Sequence, residues 1–408
     1  MSTPQAAVSQ KRANLTLATL FSGVFVLGCA ELLVIGVLNV LAADLNVSIP
    51  TAGTLVTAYA LGIAIGGPIL TALTIKLNRR TILVGAIVVF ALANLIVVLI
   101  PNYGLFFAAR VVAGAVQGLF IAGGFMVGMA IVPPERAGRA ISTVISGVAV
   151  SAAVGVPLGT LVGQTLGWRG SFTAIVVLAG LALIAILALV PSVPSAGGAA
   201  GQTKYAFAPR VLAVLGLCFV AFASLFSVLT YIVPFLESVT GVTGATVSVF
   251  LLVYGVATAV GSFGGGRFAD KNAARTLIVA TTGTAVALLA LYFVGSVAAL
   301  AAVAILVWGL FAFGMAASLQ LRVVVLAGPG GALAQSLPAS AINVGIAVGP
   351  VVGGLALSNF SASATVITGL VIAVIGIVVA WATSFLKPPV VPAEAGPVAS
   401  SGPTADVA

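Results

Sequence analysis

Residues 15–41 read LTLATLFSGVFVLGCAELLVIGVLNVL, an apolar run with one charged side chain, Glu31. A helix needs about 20 such residues to cross a bilayer, so this stretch is long enough to span. Lys11 and Arg12 precede it as they would in a signal peptide, but the run is too long for a signal h-region and reads as a retained first helix. Five more runs follow in the first half: Ala52–Leu73, Thr81–Ile100, Tyr103–Met129, Ala140–Leu166 and Ser171–Val190. The second half holds Val211–Phe235, Thr246–Phe268, Thr276–Val294, Val297–Leu319, Leu333–Leu357 and Ala364–Phe385. None alternates apolar and polar residues as a barrel strand does, so the twelve runs predict helices.

Composition agrees. A chain of 408 residues normally suggests two or three soluble domains, yet 61% of this one is hydrophobic and 6% charged. Soluble domains carry about 25% charged residues, and the 23 charged side chains here could not cover a globule of this size. Mean hydropathy is +1.30. The chain has no histidine, which removes His-based triads, haem ligation and His-bound metals, and no cofactor is expected. Its two cysteines, Cys29 and Cys218, lie in separate apolar runs and encode neither a disulfide framework nor a CxxC pair. The net charge of +9 comes without a basic stripe interleaved with aromatics, so nucleic acid is not an expected partner.

The basic residues instead report topology. With a cytoplasmic N-terminus, the inner segments hold 14 of the 16 Lys and Arg residues. Arg169 alone falls in an outer loop and Arg110 inside a span. That asymmetry predicts both termini in the cytoplasm and a multi-pass protein of the inner (plasma) membrane. Five segments follow: a cytoplasmic leader over 1–14, a six-helix bundle over 15–190, a Pro/Gly/Ser/Ala-rich cytoplasmic linker over 191–210, a second six-helix bundle over 211–386, and a disordered cytoplasmic tail over 387–408. The halves look related. Lys271 lies 195 positions after Lys76 in similar surroundings, and Pro350 lies 193 after Pro157. Paired six-helix repeats are a transporter architecture.

Glu31 is the foremost candidate for chemistry, because no other acidic residue lies deep in a span. A carboxyl near mid-membrane faces a partner or a wet cavity, and it can take up and release a proton. Its complement is Arg110, within span four. Counted from the outer ends, Arg110 is ~10 Å deep and Glu31 ~16 Å, which permits contact if the two spans are neighbours. Both are assigned to proton coupling. Polar side chains within spans that can line a cavity are Asn39, Thr57, Tyr59, Gln117, Tyr231, Tyr254, Gln320 and Asn343. Each alone is more often an interhelical hydrogen bond than a ligand contact. Gly155 and Gly159 flank Pro157, and Gly349 precedes Pro350; both rows suit close helix packing, and a proline among glycines also gives a helix somewhere to bend. Two inner loops carry charge at helix ends: Arg79 and Arg80 in the first half, Arg267, Asp270 and Lys271 in the second. Such clusters can tie helix ends together across a gate. Asp44 and Glu237 read as solvated loop carboxylates.

Several of these motifs resemble the major facilitator superfamily, specifically its twelve-span drug:proton antiporter branch with arabinose-efflux-permease-like members. Arg110, Gly114, Gln117 and Gly118 are similar to the family's fourth-helix motif. Gly155-Val156-Pro157-Leu158-Gly159 resembles the fifth-helix antiporter motif, with Gly167-Trp168-Arg169 following as in this branch. Gly265 to Lys271 resembles the second-half loop motif, and Ala30-Glu31 through Ala43-Asp44-Leu45 the first-helix pattern. The first-half loop departs: Ile75 and Lys76 occupy the region of a usual Asp, and Asn78 stands where Gly is common. Asn39 stands near a usual proline.

The resemblance implies the major facilitator fold, an all-α integral membrane protein with twelve transmembrane helices in two pseudo-symmetric six-helix bundles. It also implies a central cavity lined by spans one, four, seven and ten, and alternating access driven by protons. The leading expectation is thus a secondary active transporter, not an enzyme, that exports small drug-like or amphipathic molecules in exchange for protons and works as a monomer. Export of a polar metabolite such as a sugar or nucleoside is the alternative. A non-transporting receptor or scaffold would need a larger soluble region than this chain has.

Overall fold

The computed structural model describes residues 10–74, 76–133, 136–193, 207–328, 334 and 337–389. Among the described residues there are helices and no strand. Ten helices are long and apolar enough to cross a membrane, and two of these, Arg139–Leu189 and Ala245–Val294, are 51 and 50 residues long. Each is twice the length a span requires, and each is interrupted once, at Gly167 (φ 73°, ψ 166°) and at Asn272 (φ −162°, ψ 93°). Division at those residues gives twelve spans. The leader over 1–9, linker residues 194–206, the tail from 390 and Ile75 lie outside the described residues.

In chain order the first half comprises α1 (Gln10–Gly36), α2 (Ile49–Leu73), α3 (Arg79–Leu99), α4 (Tyr103–Ala130), α5 (137–166) and α6 (168–189). The second comprises α7 (Pro209–Leu229), α8 (245–271), α9 (273–294), α10 (Ala298–Ala327), α11 (Leu337–Asn359) and α12 (Ala362–Ser384). Polar residues mark the starts. Ser48 accepts from the Thr51 amide, Asn78 from that of Arg80 at 3.0 Å and Asn102 from that of Leu105 at 3.0 Å. Each satisfies an amide that the first turn leaves without an intrahelical partner. Large apolar side chains such as Phe263 and Phe293 stand 75% and 72% exposed, as a surface facing acyl chains requires.

Proline disturbs the interior of three spans. In α2 and α5 the backbone widens to π-helical geometry at Gly62–Gly66 and Ser151–Gly155, directly upstream of Pro68 and Pro157. In span seven α7 stops at Leu229, turns at Thr230 and Tyr231, and resumes as Ile232–Phe235. Pro234 cannot donate to the carbonyl four residues earlier, that of Thr230, and its ring displaces it. The expected continuous helix Val211–Phe235 is thus two pieces. The first span also differs from Leu15–Leu41: α1 begins at Gln10 and ends at Gly36, and a short helix, Leu38–Asp44, follows a turn at Val37. α11 runs through Pro350 as one helix.

Twelve spans put Gln10, where α1 begins, and Ser384, where α12 ends, on one face, here the terminal face, opposite a distal face. The halves meet toward the distal face. Thr57 on α2 donates to the Ala347 carbonyl on α11 at 2.7 Å. The Tyr231 ring lies close to Gly53 on α2 and Gly354 on α11. At mid-height Gly255 on α8 lies against the backbone of Ala152 and Ala153 on α5, where a Cβ would come within 2.7 Å. The terminal ends of α2 and α10, by contrast, pack on helices of their own half.

Candidate functional site

α2 and α4 approach through glycines. A Cβ on Gly114 would stand 2.1 Å from the Tyr59 carbonyl oxygen, and one on Gly62 2.2 Å from that of Val111. No side chain fits there, and the two backbones touch. That contact fixes Tyr59 on α2 beside Arg110 and Gln117 on α4, with α1 along the third side. Arg110, Tyr59 and Gln117 are 1%, 1% and 2% exposed, and Glu31 is partly buried.

The sequence permits a Glu31–Arg110 ion pair, and the structure arranges the two residues differently. Arg110 donates from Nη1 to the Ala30 carbonyl at 2.7 Å, from Nη2 to the Glu31 carbonyl at 2.9 Å and from Nε to the Leu55 carbonyl at 3.2 Å. Its guanidinium carbon lies 4.0 Å from the centre of the Tyr59 ring. Carbonyl dipoles and an aromatic face thus solvate the cation, and the Glu31 carboxylate makes no direct ion pair with it. The carboxylate instead accepts from Gln117 Nε2 at 2.5 Å. Gln117 cannot turn freely, because Tyr59 donates to its Oε1 at 2.6 Å. The hydroxyl's other acceptor, the Leu27 carbonyl, is farther away at 3.4 Å, so the amide nitrogen is held toward Glu31.

This chain of bonds gives the carboxyl two distinguishable states. Ionised, Glu31 accepts from Gln117. Protonated, its carbonyl oxygen could still accept from Gln117 while its O–H becomes a donor.

The remaining cavity candidates do not join this cluster. Asn39, on the short helix Leu38–Asp44, donates to Glu237 beyond α7, a bond between the halves. Glu237 is thus a partly buried partner and not the solvated carboxylate the sequence suggests. Tyr231 is buried and donates to the Pro350 carbonyl at 2.6 Å. Tyr254 packs on Trp308 with ring centres 5.1 Å apart, and both of their polar atoms are buried without partners among the described residues. Asn343 donates to the Ala339 carbonyl at 2.9 Å, and its own oxygen is buried and unpaired there. Gln320 is partly buried on α10.

The glycine rows pack helix on helix. Gly155 and Gly159 of α5 abut Cys29 and Leu33 of α1, and Gly349 of α11 abuts α7. Asp44 is also paired: it accepts from Trp168 Nε1 at 2.9 Å and Arg169 Nη1 at 2.8 Å. That bond closes the distal end of the first half over the ring cluster Phe106, Trp168 and Phe172. The only acid and the only base that the sequence places in first-half distal loops were the available signal for this pair. Among the charged loops, Arg80 donates to the Leu187 carbonyl and Arg79 is buried. Arg267, Asp270 and Lys271 are exposed and make no hydrogen bond or ion pair among the described residues.

Twelve apolar helices in two bundles, with a buried acid–amide–guanidinium cluster in one of them, define a polytopic membrane transporter. Comparison with known proteins gives the family. Residues 20–337 match the model of the Major Facilitator Superfamily, and the chain belongs to it. It is 32% identical over 347 residues to the inner membrane transport protein YdhP of Escherichia coli (strain K12), covering 85% of this chain and 89% of the relative. It is 30% identical over 351 residues to a chloramphenicol resistance protein of Streptomyces lividans, covering 85% and 90%. A crystal structure of a bacterial homologue of the human lysosomal transporter Spinster, inward-facing and unoccupied, superposes with a TM-score of 0.76 over 92% of this chain and 98% of that one, at 16% identity. That likeness extends to the fold.

Proposed function

We propose that this protein is a proton-coupled exporter of small drug-like or amphipathic molecules, resident in the inner membrane with both termini cytoplasmic. One observation carries the proposal. Glu31 is the sole described acidic side chain deep in a span, and its carboxyl is held by a neutral amide while the nearby cation is satisfied elsewhere. A carboxylate locked to a guanidinium would stay ionised, whereas one held by an amide can be loaded and unloaded.

In the proposed cycle the cavity between the bundles opens alternately to either side. The interhalf bonds of Asn39 with Glu237 and of Thr57 with Ala347 hold the distal side shut, which supports an arrangement open to the cytoplasm. The unpaired state of Arg267, Asp270 and Lys271 fits it, because a clamp at the terminal face would form only when that face closes. Cargo enters from the cytoplasm, the halves rock, and Glu31 takes a proton from outside as cargo leaves. The proton is then released inward. The 30% identity to a chloramphenicol resistance protein supports a drug-like cargo.

The test is Glu31→Gln in proteoliposomes under an imposed pH gradient. The amide keeps size and hydrogen bonding but cannot titrate. Gradient-driven accumulation of cargo is expected to vanish, while downhill exchange persists. Full accumulation by the variant would remove Glu31 from the coupling.

A further inference from the structure

At the terminal end of the first half, α3 and α6 diverge around a cleft of about 410 Å³ lined by Asn78, Arg80, Thr81, Val84, Leu187 and Ser192. Neither the Glu31 cluster nor the bonds between the halves uses it. One wall is polar and positive. Arg80 spends one N–H on the Leu187 carbonyl, and its other donors have no partner among the described residues. The Thr81 amide and hydroxyl are likewise unpaired there. Asn78 is engaged, accepting from the Arg80 amide and donating to Ser192 at 2.5 Å. The other wall is apolar: Val84 is partly buried and Leu187 is 48% exposed toward the acyl chains. No carboxylate lines the cleft. Among described acidic residues, Asp44 and Glu237 are distal, Glu31 is deep, and Asp270 belongs to the other half.

The cleft stands where the apolar runs of α3 and α6 begin and end, at headgroup depth. We propose that it binds one anionic phospholipid from the terminal-face leaflet, its phosphate on Arg80 and the Thr81 donors and an acyl chain along Val84 and Leu187. A basic group recessed between helices at that depth suits a lipid phosphate. The apolar wall continuous with the bilayer favours a lipid over free phosphate, which would gain nothing from Val84 or Leu187.

The experiment counts lipids retained by the purified full-length protein in native mass spectrometry, after titration with phosphatidylglycerol or phosphatidylcholine. One charge contact at a membrane surface predicts about a fivefold preference for phosphatidylglycerol. Arg80→Gln should abolish the preference and Arg80→Lys should keep most of it. Val84→Trp, which fills the cleft without touching its polar wall, should also abolish it. Arg275→Gln, an exposed base on α9, should leave it unchanged. Equal preference in wild type and Arg80→Gln would overturn the site. So would displacement of the lipid by millimolar inorganic phosphate, which would mark a free-anion site instead.

Discussion

Replacing Arg110 with lysine keeps the charge and removes the fork. The guanidinium reaches three carbonyls on two helices, at 2.7, 2.9 and 3.2 Å, and an ammonium at the end of a lysine is a single point that can keep one of them. Two interhelical contacts are then lost. Polar contacts between membrane helices contribute about 0.6 kcal/mol on average and up to about 1.7, so the loss amounts to about 1–3 kcal/mol. The flat stack on Tyr59 is weakened as well. Because Ala30 and Glu31 belong to α1 and Leu55 to α2, the damage is a loosened three-helix junction. Gln117 then loses its register against Glu31. The assay is unfolding of purified Arg110→Lys in mixed micelles with rising SDS, paired with gradient-driven transport in proteoliposomes. Reduced stability together with poor coupling is expected. Wild-type stability and full coupling would show that the charge alone matters and that the bonds to Ala30, Glu31 and Leu55 do not.

Glu237→Leu removes the acceptor for Asn39 and leaves a partly buried amide unpaired, so the distal side should open more often; thiol labelling faster than in the Thr57→Cys single variant reads this, and an unchanged rate would argue against a latch. Asp270→Asn should impair transport more than Lys76→Gln, since only the second-half loop retains an acidic partner; equal rates at matched expression would remove Asp270 from the gate. Reporter fusions after Asn102 and Gln202 should report outside and inside respectively, and the reverse pattern would invert the proposed direction of transport.

The twelve spans were legible because hydrocarbon demands long uncharged runs, and the run edges fell within a few residues of most helix ends. The breaks were less legible. Pro157 and Pro350 stand out through their glycines, yet α11 runs through Pro350; Pro68, which follows Gly62, Gly66 and Gly67, and Pro234, which has no glycine row, both sit beside backbone deviations. Whether a proline deforms a helix depends on what else can satisfy the freed carbonyl, and that is a tertiary matter. Pro350, for example, follows a stretch of α11 packed tightly on α7. Within the cluster, Glu31, Arg110, Tyr59 and Gln117 were all visible as polar residues in apolar runs. Their partners were not, because Arg110 bonds to main-chain carbonyls that every residue carries and no side-chain pattern can flag. The pairing of Asn39 with Glu237, 198 residues apart, likewise depends on how the two bundles meet.

Arg110 held by carbonyls has an electrical consequence. With Glu31 ionised, the cluster as a whole is neutral; with Glu31 protonated, it carries one uncompensated positive charge. In the proposed cycle a cation in the cavity is therefore favoured in the first state and repelled in the second, so proton uptake would expel a cationic cargo by charge as well as by competition. If one proton exchanges for one cargo molecule, a monovalent cation makes the turnover electroneutral and blind to voltage. A neutral cargo leaves one charge moving inward per turnover, worth ~2.3 kcal/mol per 100 mV. The same cluster would run the two kinds of cargo on different forces.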